Sequence, residues 1–144
     1  MNKEILNQVC NRISQAAPAV LNVKADEGEL NRKAEARGGL TYPACLVDVS
    51  YAECQNMNNR AQRIKAEVSI RIAFDLEETN IPGNVTASDF RMDLLNNVHQ
   101  HLQGWSAGDT FLPLNRLQTE AEQREDMLKV YKVTYGMSCI ENNA

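Results

Sequence analysis

The sequence lacks several features by which functional classes are usually recognised. No apolar run approaches the roughly 18 residues that cross a bilayer, so we expect no membrane association. The first residues form an amphipathic helix pattern interrupted by Asn, Gln and Arg, which is not a signal peptide, and a cytoplasmic location is the default expectation. The net charge of −4 gives no support for specific nucleic-acid binding, which needs clustered lysine and arginine.

Residues that carry chemistry are also sparse, with four cysteines and two histidines. No two cysteines have the short spacing of a zinc site, and without a signal peptide free thiols are favoured over disulfides. His99 and His101 would diverge by about 200° on a helix, so they cannot chelate one metal as an i, i+4 pair could. With no nucleophile motif and no phosphate-binding glycine loop, we expect no enzyme, cofactor or metal site. An enzyme whose residues assemble only in the fold remains an alternative.

What the sequence does contain is a long two-residue alternation. From Arg63 to Asp75 every second residue is apolar, and the residues between them are almost all polar. This period predicts a strand with one face on a core and the other in water. At about 3.3 Å per residue the run would span about 43 Å, far more than a typical strand. We therefore expect an arm that reaches beyond its own domain.

A second run, Ala44–Tyr51, alternates in the same way. The segment between the two runs is polar and rich in asparagine, which tolerates the backbone conformations of tight turns. The two runs together predict a long β-hairpin with its tip at 52–62. The charged segment 24–39 has three glycines and no periodic apolar face, and it predicts a mobile loop, with a transient helical turn as the alternative.

The remaining patterns complete an α+β reading of the chain. Apolar residues at helical spacing predict one helix at 3–17 and another that begins after Thr86 and ends at Gly104. Strands are expected near 112–118 and 128–140. We thus predict a single α+β domain over 1–144, in which a mainly antiparallel sheet with a long β-hairpin packs against two helices.

Several residues on and near the hairpin are candidates for a contact between subunits. The basic ones either provide solubility and protect a strand from edge pairing, or they contact an acidic surface of a neighbour. Trp105 is either a core residue, which its position slightly favours, or an interface anchor. The candidate interface residues are Arg60, Arg63, Lys65, Arg71 and Trp105, and the candidate acidic partners are Asp26, Glu27, Glu29 and the turn 120–126.

Three short motifs lie in a recognisable order. Gly104-Trp105 follows the second helix, Pro113-Leu114-Asn115-Arg116-Leu117 opens the next strand, and Val130-Tyr131-Lys132-Val133 begins the last one after an acidic turn. With the first helix and the hairpin before them, these motifs resemble the phage tail terminator and tail-completion (minor tail) families, which include the lambda-type terminators and relatives from Mu-like prophages. The resemblance covers the first helix and most of the chain from about Ala44 onward.

The resemblance implies a structural, non-enzymatic role. Such proteins form a ring, commonly hexameric, at the head-proximal end of the tail tube, where the ring stops tube polymerisation and offers a surface to the head. The implied partners are further copies of the chain, the tail tube and head-completion proteins, first in the cytoplasm of the bacterial host and then in the virion. The competing interpretation is a bacterial α+β adaptor or small-ligand-binding domain unrelated to phage.

Overall fold

The fold is a five-stranded sheet with helices on one of its faces. The structure, a computed structural model, describes residues 3–77 and 86–142. The strands pair in the order β1-β2-β3-β5-β4, and the β1–β2 pair alone is parallel among them. The predicted α+β class, with a mainly antiparallel sheet, a long hairpin and two helices, is confirmed. In the described residues the elements are α1 (Lys3–Ala16), β1 (Asn22–Ala25), β2 (Ala44–Asn56), β3 (Ala61–Asp75), α2 (Ala87–Leu102), β4 (Asn115–Ala121) and β5 (Leu128–Asn142).

Strand β3, which contains the alternating run, is the central strand of the sheet. It pairs with β2 on one side and with β5 on the other, from Ala61 to Asp75 in the latter case. We call the side that packs on α1 and α2 the helix-covered face and the other side the open face. Apolar residues of β3 at alternate positions are buried on the helix-covered face: Ile64, Ala66, Val68, Ile70, Ile72 and Phe74.

The expectation of an arm reaching beyond its own domain is corrected by this burial. Ile64 is fully buried near the far end of β3, because the core continues there and Phe111 forms a bridge with Cys139 of β5. The hairpin itself is confirmed, but its strands are longer than predicted, so the tip shrinks from 52–62 to the turn 57–60. In the part of the hairpin farthest from the helices, this turn and residues 52–56 of β2 are exposed to solvent.

Both predicted helices form, and their ends follow from the sequence. Thr86 caps α2, with its hydroxyl oxygen accepting a hydrogen bond from the Asp89 N–H at 3.1 Å. Gly104 follows the helix with φ +77°, the left-handed conformation that suits a glycine after a C-terminal cap. Helix α1 buries the stripe Ile5, Val9 and Ile13.

Segment 24–39 differs from the predicted mobile loop. It contributes the end of β1 and two 3₁₀ turns, Glu29–Asn31 and Ala34–Ala36. Leu30 is fully buried on the open face, in a second small core with Leu46, Ala73, Leu128 and Val130. One leucine in a charged segment leaves no periodic signal, and for this reason the sequence did not reveal the packing. The prediction of a single domain over 1–144 also includes residues 1–2, 78–85 and 143–144, which lie outside the described part.

Candidate functional site

The open face of the sheet carries most of the predicted contact residues, and its character changes along β3. Near Ala73 it is covered by segment 26–42, which closes the second core. Around Arg71 and Ser69 a polar cavity follows, and beyond Glu67 the face becomes a shallow apolar groove. At the far end lie exposed basic residues of the hairpin. Each of these zones differs in what it could bind.

Arg71 is committed to its own chain and is therefore removed from the candidate subunit interface. Its guanidinium donates two hydrogen bonds of 2.7 Å to the two carboxylate oxygens of Glu122, and it lies 3.7 Å from Asp26. Only 9% of the residue is exposed. The bidentate bond to Glu122 raises the pKa of Arg71, so the guanidinium stays charged. A group so enclosed has little surface to offer to another subunit.

The same ion pairs continue into a chain of alternating charges, which we call the strap network. Arg124 links Glu122, at 3.2 Å, to Asp126, at 2.7 Å, and Arg37 contacts Asp126 at 2.7 Å. The hydrogen bond from Arg124, with a further one from Arg37, lowers the pKa of Asp126 to about 2. Its members are Asp26, Arg37, Arg71, Glu122, Arg124 and Asp126.

The strap network explains why segment 24–39 is ordered. Arg37 is itself buried, and its Nε donates to the carbonyl of Arg32 at 3.0 Å. Arg124 donates to the Leu30 carbonyl at 2.6 Å. These bonds tie the segment to the 122–126 turn, which stands about 90 positions later in the chain. Charged residues of the segment, whose composition had suggested mobility, thus form the hydrogen bonds and ion pairs that attach it to the rest of the fold.

Several carboxylates of the predicted acidic partner surface form ion pairs within their own chain. Asp26 contacts Arg71, and the buried Glu29 carboxylate lies 2.6 Å from the Lys24 ammonium. Desolvation opposes ionisation of Glu29, but hydrogen bonds from Lys24 and the backbone outweigh it and lower its pKa. The exposed carboxylates of the predicted set are Glu27, Glu120 and Glu125.

A polar cavity of about 390 Å³ lies between the covered end of the open face and the groove. Arg71 and Ser69 contribute from β3, Lys132 from β5, and Glu120 from β4. Carboxylates outnumber cations in its wall, and the Arg71 guanidinium is already paired there. The other lining residues are Asp26, Asn31, Asp48 and Glu122.

The apolar groove, of about 370 Å³, crosses the open face between β2 and β4. Ala52 bounds it at the β2 side, Gly136 of β5 lies in its floor, and Leu117 of β4 bounds the opposite side together with Leu112 and Pro113. Glu67 and Lys65 of β3 are the charged residues of the lining. The sequence analysis missed this groove, because Leu117 and Gly136 are brought together only by strand pairing.

The remaining basic candidates lie together at the far end of the hairpin. Arg60 in the turn and Arg63 and Lys65 in β3 are all exposed. Lys65 lies 3.5 Å from Glu53 on the neighbouring strand, and both side chains are mostly in water. An exposed pair of this kind contributes little to stability. These three residues, which we call the basic tip, remain candidates for a subunit contact.

Trp105 packs mainly within its own chain. It is half-buried against the core, and the Arg12 guanidinium of α1 lies over its ring at 5.5 Å. Arg12 also donates from Nε to the His101 carbonyl at 2.9 Å, next to the end of α2. The tryptophan therefore helps to fasten α1 to the end of α2, which agrees with the core alternative. Its role at an interface stays a prediction.

The two histidines have separate environments, as their spacing predicted. His99 Nδ1 lies 2.8 Å from the Tyr135 hydroxyl, while His101 Nδ1 donates to the Asn97 carbonyl at 2.8 Å. Burial, with the nearby Arg116 charge, lowers the pKa of His99, and burial raises the pKa of Tyr135 to about 12. The His99–Tyr135 pair is thus neutral at pH 7. Among residues 3–77 and 86–142, no group of three or more His, Cys, Asp or Glu side chains is placed to hold a metal ion.

No protein-family model matches the chain, and no curated protein is significantly similar to it. In the described residues neither helix is both long enough and apolar enough to span a bilayer.

Proposed function

We propose that this chain is a structural subunit of a phage or prophage tail, which assembles with its own copies into a ring and serves as a tail terminator or another head–tail completion protein. The observation that carries the proposal is that the sheet has two long, unlike edges. A contact between two different surfaces of the same subunit is heterologous, and repeated heterologous contacts generate rings when the rotation closes. On this proposal the chain acts in the host cytoplasm and then in the virion tail.

The first edge is the outer side of β2. Strand β1 pairs with β2 over residues 44–47, and no further strand of the described residues covers the edge from there to Asn56. The second edge is β4, whose seven residues are all exposed. Unpaired strand edges are templates for pairing with another chain. The two edges lie on opposite sides of one sheet and differ from each other, so a contact between them would be heterologous.

The resemblance to tail terminators gains some geometric support. The Gly104 N–H donates to the Leu114 carbonyl at 2.8 Å, and the Leu114 N–H donates to the Trp105 carbonyl at 2.9 Å. Two of the three motifs on which the resemblance rests therefore form one structural unit at the end of α2. The net negative charge also suits a ring around passing DNA, since a wall of like charge does not hold phosphates.

Solution mass across a concentration series, followed by binding to isolated tail tubes of the phage that encodes the chain, tests this proposal. We expect a closed oligomer with one preferred copy number and attachment at tube ends. The variant Arg60→Glu/Arg63→Glu, which reverses charge at the basic tip, should weaken association about tenfold or more at low salt. The double variant Lys3→Glu/Lys33→Glu, at two other exposed positions, makes the same change of net charge and is the control. A chain that stays monomeric and ignores tail tubes would refute the ring.

The polar cavity favours one second candidate, a small-ligand-binding domain. Its wall contains Lys132, for which no ion pair is found in the described part of the chain, together with the carboxylates of Asp48 and Glu120, a set suited to a small molecule that carries both charges. Thermal stability measured with a panel of amino acids and polyamines would separate the two functions. A saturable increase in melting temperature that is lost in Asp48→Asn would favour the ligand-binding domain.

A further inference from the structure

We propose that the apolar groove receives the hairpin turn 57–60 of a second copy of this chain, with the side chain of Met57 in the groove. The inference deepens the ring proposal and rests on it, because it adds to the two sheet edges a second pair of unlike surfaces that meet between neighbouring subunits. The turn would be the donor, and the groove between Ala52 and Leu117 would be the acceptor.

The acceptor is shaped by a glycine and a β-bulge acting together. The register between β4 and β5 shifts between Arg116 and Gln118, which leaves Leu117 at the irregularity. A bulge re-aims the side chain that it carries. Leu117 consequently lies across Gly136, where an added Cβ would come within 3.0 Å of the leucine Cδ1. The absence of a side chain at Gly136 thus keeps the floor of the groove low and allows the leucine to form its wall.

The walls of the groove leave apolar surface in water. Leu112 is 61% exposed and Leu117 is 60% exposed, although each lies beside polar residues on the open face. Pro113 continues the same wall. Single exposed leucines are common, but two of them lining one depression mark a surface that gains from being covered.

Met57 is presented in a form that suits this depression. Apart from Cys54 it is the only apolar residue among 53–60, and 50% of it is exposed. The turn that carries it is held by Asn58, whose side-chain oxygen accepts hydrogen bonds of 2.9 Å from the N–H groups of Arg60 and Ala61. The Met57 N–H donates to the Ala61 carbonyl at 3.0 Å. An ordered turn loses little entropy on docking, and methionine adapts its shape to irregular apolar gaps.

The charges on the two surfaces are complementary. Glu67 lines the groove, and within residues 3–77 and 86–142 no cation is paired with its carboxylate. The other charged lining residue, Lys65, already lies against Glu53. Arg60 stands three residues after Met57 in the donor turn and is exposed. With Met57 in the groove of a neighbour, Arg60 is close enough to the rim to pair with Glu67.

The occupant must come from another copy, since β2 and β3 form both the turn and part of the groove floor. A paired sheet cannot fold its own end back onto its face. Donor and acceptor are different surfaces of one chain, so the contact is heterologous and propagates from copy to copy. This is the type of contact that the ring proposal requires.

The first test compares association constants of the full chain and of matched variants by sedimentation equilibrium. Met57→Ser should weaken self-association about tenfold or more, because it removes the buried anchor. Met127→Ser is the matched control, since Met127 is 53% exposed but precedes the end of β5 that is farthest from the turn and lies outside the groove. On the acceptor, Leu117→Asp should have the same effect as Met57→Ser, and Leu21→Asp, at another exposed leucine, should have none.

The second test is a cross-link between copies in a Cys54→Ser background, which removes the exposed native thiol. Protein carrying Met57→Cys and protein carrying Leu117→Cys are mixed under mild oxidation, and a disulfide dimer is expected in the mixture in excess of either protein alone. An oligomer that is indifferent to Met57→Ser and gives no mixed cross-link overturns this contact while leaving the ring standing. A chain that remains monomeric to about 1 mM also overturns it, whereas the ring proposal itself falls only if tail tubes fail to recruit the chain.

Discussion

The two faces of β3 show two different ways in which one strand is held in place. On the helix-covered face, alternate residues from Ile64 to Phe74 are buried among aliphatic and aromatic side chains of both helices and the loop that contains Phe111. On the open face, Arg71 is held by directional ion pairs, Ala73 lies under Leu30, and the residues beyond Glu67 face the groove and water. The strand is the same, yet its two sides differ in how sensitive they are to charge, volume and pH.

The difference between the two faces shows which surface of the molecule is left available for binding. Along β3 the helix-covered face is closed from Ile64 to Phe74, so packing accounts for the residues there. The open face is closed only at the end where the strap network ties down segment 24–39. Its other end carries the groove and the basic tip, and the proposed contacts between copies therefore lie there.

The largest effect is expected at the centre of the helix-covered face. Ile70→Ala should lower the free energy of unfolding by about 4 kcal/mol, because it removes a fully buried side chain from a strand paired on both sides. Ser69→Ala, one residue earlier on the open face, should change it by less than about 0.5 kcal/mol. Chemical denaturation of both variants measures the contrast. Equal losses at the two positions would show that the open face is packed as tightly as the other.

A smaller loss is expected from the strap network. Arg71→Met should lower the free energy of unfolding by about 2 kcal/mol, because Glu122 then loses its bidentate partner while keeping Arg124. Arg63→Met, on the same face of the same strand but exposed, should be neutral within about 0.5 kcal/mol. Hydrogen exchange should rise in segment 24–39 in the Arg71 variant only. If exchange there is unchanged, the network does not hold the segment.

The smallest effect is also the one that depends on pH. The pKa of Asp126 is lowered from 3.8 to about 2 in the folded chain, so its ion pairs stabilise the fold above about pH 4 and lose that contribution as pH falls through about 2. Asp126→Asn should thus lower the free energy of unfolding by about 1 kcal/mol at pH 7. Near pH 2 the variant and the unmodified chain should converge. A gap of constant size from pH 7 to pH 2 would contradict the assignment.

The elements that could be predicted are those whose signal lies within one segment. Three local signals predicted conformations that the structure contains: the alternation in β3, the Thr86 cap and the glycine after α2. The length of the alternation, however, led to the wrong prediction of an arm that reaches beyond the domain. A strand at the centre of a sheet alternates over the same length, and the sequence of β3 alone does not say that β5 pairs along all of it.

The features of the open face could not be predicted, since each depends on residues far apart in the chain. Leu30 has no apolar neighbours in sequence, and Arg124 and Asp126 stand about 90 positions after the segment that they hold. The groove needs Leu117 to be turned by a bulge onto a glycine of another strand. Arg71 matched the basic tip in charge and in strand position, and only the fold distinguishes its enclosed guanidinium from the exposed ones.

The place of β3 between β2 and β5 also sets an expectation for how the chain folds. The β2–β3 hairpin closes through a turn of four residues, whereas β3 and β5 join positions that are about 50 to 80 residues apart in sequence. Closing so large a loop is entropically unfavourable until many contacts form at once. The hairpin is therefore the natural nucleus, and docking of β5 is the slow step. We expect that, until β5 pairs, one long edge of β3 is open to pairing with other chains, a route that the native sheet closes.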